Sequence, residues 1–78
     1  MTRWSAQRWL RDFRAVGGMV WKRHDDGSLL LGWMVEDRSE DEQATARTMY
    51  RELSANIRRW NAVAREVGPV PRAVGAVA

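Results

Sequence analysis

The sequence contains no cysteine, so disulfide bonds and thiolate metal sites are both excluded. No stretch approaches the roughly 20 consecutive apolar residues that a membrane-spanning helix needs. The first residues, 1–5, also lack the apolar run of a secretory signal peptide. Cysteine-free chains are typical of reducing compartments, and we therefore expect a cytoplasmic protein with no membrane partner.

Motifs that carry catalysis are also missing. Neither GxGxxG nor GxxxxGK[ST] occurs, and the acidic residues at 36–42 lack the spacing of an EF-hand loop. The only histidine, His24, stands beside Asp25 and Asp26, where turn formation explains the residues better than general-base chemistry. We expect no catalytic residue, no cofactor and no metal site, and hence no enzyme.

Charge is abundant but unevenly distributed. The net charge is +3, yet residues 25–42 hold seven acids against one base, Arg38, which gives −6. The rest of the chain holds twelve bases and three acids, which gives +9. Twelve of the thirteen bases are arginine, a bias that suits phosphate or carboxylate recognition but that a GC-rich genome also produces.

Two elements are predicted before residue 36. Apolar residues recur at spacings of three and four over residues 2–16, which predicts an amphipathic helix that ends at Gly17 and Gly18. The helix is expected to bury Ala6, Trp9, Leu10, Phe13 and Val16. Residues 19–23 and 28–35 then flank the turn signal His24-Asp25-Asp26-Gly27 and predict a β-hairpin.

The register of the hairpin depends on Gly27. A type I turn with a bulge at Gly27 places one set of large residues on a single face, and we favour it for that reason. That face would hold Met19, Trp21, Leu29, Leu31, Trp33 and Val35. A two-residue Asp26-Gly27 turn would instead pair Trp21 with Gly32 and scatter the large residues.

A long helix is predicted over residues 40–67. Ser39-Glu40-Asp41-Glu42 fits a capping box, and Gly68-Pro69 terminates the apolar stripe that follows it. The stripe repeats every seven residues at Ala46, Leu53, Trp60 and Val67. Asn56 falls within it, either as a buried polar residue that sets the register of a partner helix or as a residue that faces water.

Together these elements predict a small α+β protein with the order α-β-β-α. Residues 1–68 would form one domain in which the hairpin packs on two helices, and residues 69–78 would form a flexible tail of Pro, Gly, Ala and Val with one arginine. Small bacterial and phage proteins, including inhibitors and assembly factors, often share this order, so analogy of fold carries little functional weight.

The length of the last helix predicts a partner. Residues 40–67 would extend about 42 Å as one helix, whereas a compact chain of this size is only about 30 Å across. The far end of the stripe would then need cover from another chain, most simply a second copy in a homodimer. The expected interface residues are Leu53, Ile57, Trp60, Val63, Ala64 and Val67.

Five tryptophans stand out in a chain of 78 residues. Trp9, Trp21 and Trp33 are predicted to share the core, and Trp60 to anchor the interface. Trp4 lies beside Arg8 on the basic edge of the first helix, where it either stacks on arginine or on a base, or packs on its own protein.

The function favoured by these patterns is a binding or assembly protein that acts through protein–protein interaction, as a homodimer or as an inhibitor or adaptor of a larger partner. The alternative is a basic regulator that binds nucleic acid through arginine stripes on its helices. The arginines expected in that case are Arg47, Arg51, Arg58, Arg65, Arg8 and Arg11. Acidic residues dilute the stripe, and no known DNA- or RNA-binding motif is present.

Overall fold

A computed structural model of the chain describes residues 3–68. They form a small compact α+β domain built from a two-stranded antiparallel hairpin and three helices. The elements are α1 (Ala6–Ala15), β1 (Gly18–Lys22), β2 (Leu29–Trp33), α2 (Glu40–Ser54) and α3 (Ile57–Val67). The flexible tail expected at 69–78 lies outside the described residues.

Helix α1 has the buried face that its spacing predicts. Trp9, Leu10 and Phe13 are buried, and the indole of Trp9 stacks on the ring of Phe13 with centroids 4.6 Å apart. Ser5 caps the helix, since its hydroxyl accepts a hydrogen bond from the backbone N–H of Arg8 at 3.2 Å. The helix ends at Ala15 with Val16 as its C-cap, and Gly17 follows with φ +93, a conformation that favours glycine.

The capping box at the start of α2 is confirmed. The Ser39 hydroxyl accepts from the backbone N–H of Glu42 at 3.1 Å, and the Glu42 carboxylate accepts from the backbone N–H of Ser39 at 3.1 Å. Arg38 precedes the box, and its guanidinium donates to Glu42 at 3.3 Å.

The single helix predicted over residues 40–67 is wrong. The chain leaves α2 after Ser54 and starts α3 at Ile57, with Asn56 as the N-cap whose side chain accepts from the backbone N–H of Arg59 at 3.2 Å. Asn56 is therefore not buried in a helix interface; it is exposed, and its side chain also caps α3. The break allows α3 to pack against both α1 and α2.

Folding α3 back places its apolar face in the chain's own core. Val63 of α3 is fully buried, and so are Phe13 of α1 and Ala46 and Leu53 of α2, none of which is more than 1% exposed. Trp60, Ala64 and Val67 pack around this cluster while staying partly exposed. The size mismatch that predicted a partner chain therefore does not exist, because the stripe is divided between two shorter helices that pack on one core.

The favoured hairpin register is also wrong. Trp21 pairs with Leu30 and Val20 with Leu31, which is neither the bulged register nor the two-residue turn. Residues 24–27 form a four-residue loop, in which the backbone N–H of Gly27 donates to the carbonyl of Arg23 at 3.0 Å.

Side chains of the turn support this longer loop. The Asp26 carboxylate accepts from the backbone N–H of Ser28 at 2.9 Å, and the Asp25 carboxylate accepts two hydrogen bonds from the guanidinium of Arg23. The register moves Trp21 to the outer face, where 46% of it is exposed, so Trp21 does not join Trp9 and Trp33 against the core.

Gly18 provides a test of core packing, because a methyl group there would overlap the Phe13 ring. We expect Gly18→Ala to lower the free energy of unfolding by about 1–3 kcal/mol through overpacking. Gly32→Ala is the matched control, since the nearest atom to its added methyl is on Trp21 at an ordinary 3.6 Å. Urea unfolding measures both, and equal midpoints would contradict the packing described here.

Asn56 provides a test of the helix break. Asn56→Ala removes the cap of α3 and should cost about 1 kcal/mol of stability, whereas Asn56→Asp should retain most of it because aspartate also caps. Asn61→Ala, at an exposed position inside α3, should be neutral or slightly stabilising. An uninterrupted helix would give the opposite result, with Asn56→Ala stabilising the protein.

Candidate functional site

The predicted interface residues are divided between the core and the surface. Leu53 and Val63 are 1% and 0% exposed within a single chain, and Trp60, Ala64 and Val67 are partly buried against the same core. Only Ile57, at the first turn of α3, stands out with 68% exposure. The homodimer stays a prediction, but the helix length no longer supports it.

The predicted nucleic-acid residues are all exposed but do not form one stripe. The break after Ser54 leaves two of them on α2 and two on α3, while the last pair lies on α1. The three pairs are Arg47 with Arg51, Arg58 with Arg65, and Arg8 with Arg11. A surface that follows one long helix is therefore absent from the described residues.

A groove lies where the start of α1 meets the second half of α2 and the start of α3. It is an open groove with a volume of about 540 Å³, and it adjoins a smaller cavity of about 200 Å³ that reaches Leu53. The groove is lined by Arg3, Trp4, Ser5, Arg8, Trp9, Asp12, Met49 and Arg59. We refer to these residues as the Trp4 groove.

Capping interactions position the side chains of the Trp4 groove. Ser5 fixes the first turn of α1, from which Arg8 extends, and Asn56 fixes the first turn of α3, from which Arg59 extends. The guanidinium of Arg59 lies over the ring of Trp4, 4.9 Å from its centroid, in cation–π geometry. The contact joins the starts of α1 and α3.

The contacts between the two helices indicate that they run in a similar direction. Their starts meet at Trp4 and Arg59, and the last turn of α3 lines a cleft with residues farther along α1: Gln7, Leu10, Arg11 and Arg14 of α1 with Glu66 and Val67 of α3. The N-terminal ends of both helix dipoles, which carry partial positive charge, therefore lie side by side at the Trp4 groove.

The charges around the groove add to this positive potential. Neither α1 nor α3 has an acidic residue in its first turn, although acids are favoured there. Asp12 pairs with Arg11 at 3.2 Å, and within residues 3–68 no ion pair neutralises Arg3, Arg8 or Arg59. Glu52 is the acid that lines the adjoining cavity.

The acids at the start of α2 lie at the other end of α1. Arg38 reaches the carbonyl oxygen of Ala15 at 3.5 Å, which brings the start of α2 and its three acids close to the last turn of α1. A helix of ten residues separates the two ends by about 15 Å. The acids in the first turn of α2 therefore lie at the end of α1 opposite the Trp4 groove.

A second surface is the outer face of the hairpin. Met19, Trp21 and Met34 are 40%, 46% and 41% exposed, and Leu30 and Gly32 lie between them. We call these five residues the outer hairpin patch. Apolar side chains that adjoin one another on a surface are typical of interaction sites.

Among the described residues no cluster of three or more His, Asp or Glu side chains is arranged to hold a metal ion. None of the helices in residues 3–68 combines the length and apolar content needed to cross a membrane. His24 lies exposed in the hairpin turn. No protein-family model, curated protein or solved structure matches this chain.

The Trp4 groove was not among the sites predicted from the sequence. Trp4 was predicted to lie beside Arg8 and to stack on arginine or a base or pack on its own protein, whereas Arg3, Arg59 and Met49 were not among the predicted site residues. The spacing of four between Trp4 and Arg8 predicted one helical edge, but Trp4 precedes the N-cap Ser5 and lies outside α1. Arg59 could be located only once the break after Ser54 was known.

Two carboxyl groups, Glu42 in the capping box and Asp26 in the hairpin turn, give stability that depends on pH. The backbone N–H of Ser39 and the charge of Arg38 hold the pKa of Glu42 below its ordinary value of 4.5, and the backbone N–H of Ser28 likewise lowers the pKa of Asp26. A pKa lower in the folded than in the unfolded chain contributes stability above the unfolded pKa, and this contribution is lost as the pH falls through the folded pKa.

We therefore expect the melting temperature to fall as the pH drops below about 4.5, and to fall less steeply in Glu42→Gln, which keeps an oxygen acceptor for Ser39 but does not titrate. Thermal unfolding followed by circular dichroism at a series of pH values measures this. Glu66→Gln removes an exposed glutamate outside the capping box and serves as the control. Identical pH profiles for all three proteins would contradict the role given to Glu42.

Proposed function

We propose that the chain is a non-enzymatic binding or assembly protein that acts through protein–protein interaction, as a homodimer or as an inhibitor or adaptor of a larger partner. The observation that supports this best is the outer hairpin patch, which exposes Trp21 together with two methionines, Met19 and Met34. Tryptophan and methionine are both enriched in protein interfaces relative to the rest of the surface.

The energy available at this patch is moderate. Full burial of a large apolar side chain contributes about 1.5–3 kcal/mol, and Met19, Trp21 and Met34 retain roughly two-fifths to one-half of their exposure. Covering them would contribute on the order of 1 kcal/mol each. The patch therefore suits a reversible contact, in which a few residues carry most of the binding energy.

The hairpin also has unpaired backbone groups at its edges. Hydrogen bonds from the Arg23 N–H to the Ser28 carbonyl and from the Met34 N–H to the Gly17 carbonyl set the alternation of the ladder. By this alternation, Val20 and Leu31 direct their N–H and carbonyl groups away from the partner strand. A two-stranded sheet has two such edges, and an added strand from another chain would satisfy either of them.

The alternative function is a basic regulator that binds nucleic acid. Arginine stripes support it less than a single helix over residues 40–67 would have, because α2 and α3 are separate helices and the stripe is interrupted. The observation in its favour is the Trp4 groove, which combines aromatic walls with arginines that form no ion pair within residues 3–68.

The outer hairpin patch is tested by comparing two exposed residues. Trp21→Glu should shift the chain from dimer to monomer in sedimentation equilibrium at micromolar concentration, with little change in melting temperature, because Trp21 is half exposed in the subunit. Ile57→Glu places the same charge at an exposed site on α3 and should leave the dimer intact.

Other outcomes separate the hypotheses. If Ile57→Glu dissociates the dimer and Trp21→Glu does not, the contact lies on α3, as the sequence predicted, and the hairpin assignment is wrong. A wild-type chain that sediments as a monomer at all concentrations would contradict the homodimer. Trp60→Glu is unsuitable here, since Trp60 packs against the core and its loss should destabilise the subunit itself.

A further inference from the structure

We propose that the Trp4 groove binds single-stranded nucleic acid, with a backbone phosphate held by arginines at the starts of α1 and α3 and a base stacked beside Trp4. No hairpin residue lines the groove, so this inference does not depend on the outer hairpin patch. It assigns a site and a ligand class to residues that the arginine stripes did not include, namely Arg3, Trp4 and Arg59.

The arginines of the groove provide the phosphate recognition. Arg3, Arg8 and Arg59 converge from two segments of the chain, and none of them has an ion-pair partner within residues 3–68. Guanidinium groups bind phosphate through paired N–H donors, which gives orientation as well as attraction. The parallel starts of α1 and α3 add the positive ends of two helix dipoles to the same place.

The arrangement is unfavourable for the isolated protein. Arg8 and Arg59 each occupy the first turn of a helix, where a positive charge is repelled by the dipole, and they share one groove with Arg3. The chain can place acids in a first turn, as it does in α2 with Glu40, Asp41 and Glu42. A bound anion would relieve the repulsion at α1 and α3.

The apolar lining of the groove provides the base recognition. Trp4, Trp9 and Met49 give it aromatic and thioether walls, and a volume of about 540 Å³ lies within the range of small-molecule sites. The planar guanidinium of Arg59 already lies over the Trp4 ring at 4.9 Å. Unstacked bases pack against both aromatic rings and arginine planes, so either surface of this pair can receive one.

The combination favours a single strand over other anionic ligands. A duplex keeps its bases stacked inside the helix and would use only the arginines. An acidic peptide would likewise engage the guanidinium groups but has no requirement for aromatic walls. A flexible strand presents a phosphate and an unstacked base next to each other, which are the two chemistries that meet in the groove.

The test uses the full-length chain and a fluorescein-labelled oligouridylate of about eight nucleotides, with fluorescence anisotropy measured over a range of salt concentrations. We expect the logarithm of the association constant to fall linearly with the logarithm of the salt concentration. Arg8→Gln and Arg59→Gln should each reduce the salt slope by about 0.7, the value for one phosphate contact on a single strand. Trp4→Ala should weaken binding about tenfold at fixed salt while leaving the slope unchanged.

Matched variants separate the groove from general electrostatics. Arg47→Gln and Arg65→Gln remove the same charge from exposed positions outside the groove and should change affinity far less. Equal losses for groove and control variants would overturn the proposal, as would the absence of oligouridylate binding at low salt. Trp4→Phe keeps an aromatic face and should retain most of the affinity for oligouridylate. If Trp4 only packed against the protein, any loss of affinity in Trp4→Phe and Trp4→Ala would instead follow the loss of stability.

Competition distinguishes the remaining anions. Oligoglutamate of equal charge should displace the oligouridylate poorly, and equally effective displacement would identify a site for acidic peptides and overturn the nucleotide assignment. Melting temperatures are measured for every variant. If Trp4→Ala fails to fold, the salt slope of Arg59→Gln and the affinity of Trp4→Phe decide the question.

Discussion

The structure depends on the break between α2 and α3. Leu53, near the end of α2, and Val63, in the middle of α3, are both buried in one cluster with Phe13, and they can meet there only if the chain turns between them. The turn interrupts helical hydrogen bonding, but its polar groups find local partners. The Ala55 N–H donates to the carbonyl of Arg51, and Asn56 caps the next helix.

The competition at this point is between a longer helix and a larger core. Extending the helix through residues 55 and 56 would add a few hydrogen bonds of about 1 kcal/mol net each. It would also leave Val63 and Trp60 exposed, and burying residues of this kind contributes about 1.5–3 kcal/mol apiece. In a subunit without a partner the larger core prevails, which accounts for the turn and for the position of Arg59 next to Trp4.

The break also decides the electrostatics. Because α3 turns back, its start joins the start of α1, and the arginines of both helices face one groove. The acids around the start of α2 stay near the last turn of α1. The outer hairpin patch and the Trp4 groove thus occupy different parts of the molecule, and no residue belongs to both.

The sequence by itself determined the elements whose signals are local. The buried face of α1 follows from apolar spacing, and the start of α2 follows from the Ser39 capping box, whose hydrogen bonds are all within four residues. The hairpin was predictable from its turn residues, but its register was not, since loops of two, three or four residues all fit residues 24–27 and each pairs Trp21 with a different residue.

Only the tertiary structure decided the register, the break before Asn56 and the meeting of Trp4 with Arg59. Each of these is set by which distant apolar side chains are buried together, and neither spacing nor propensity within a segment contains that information.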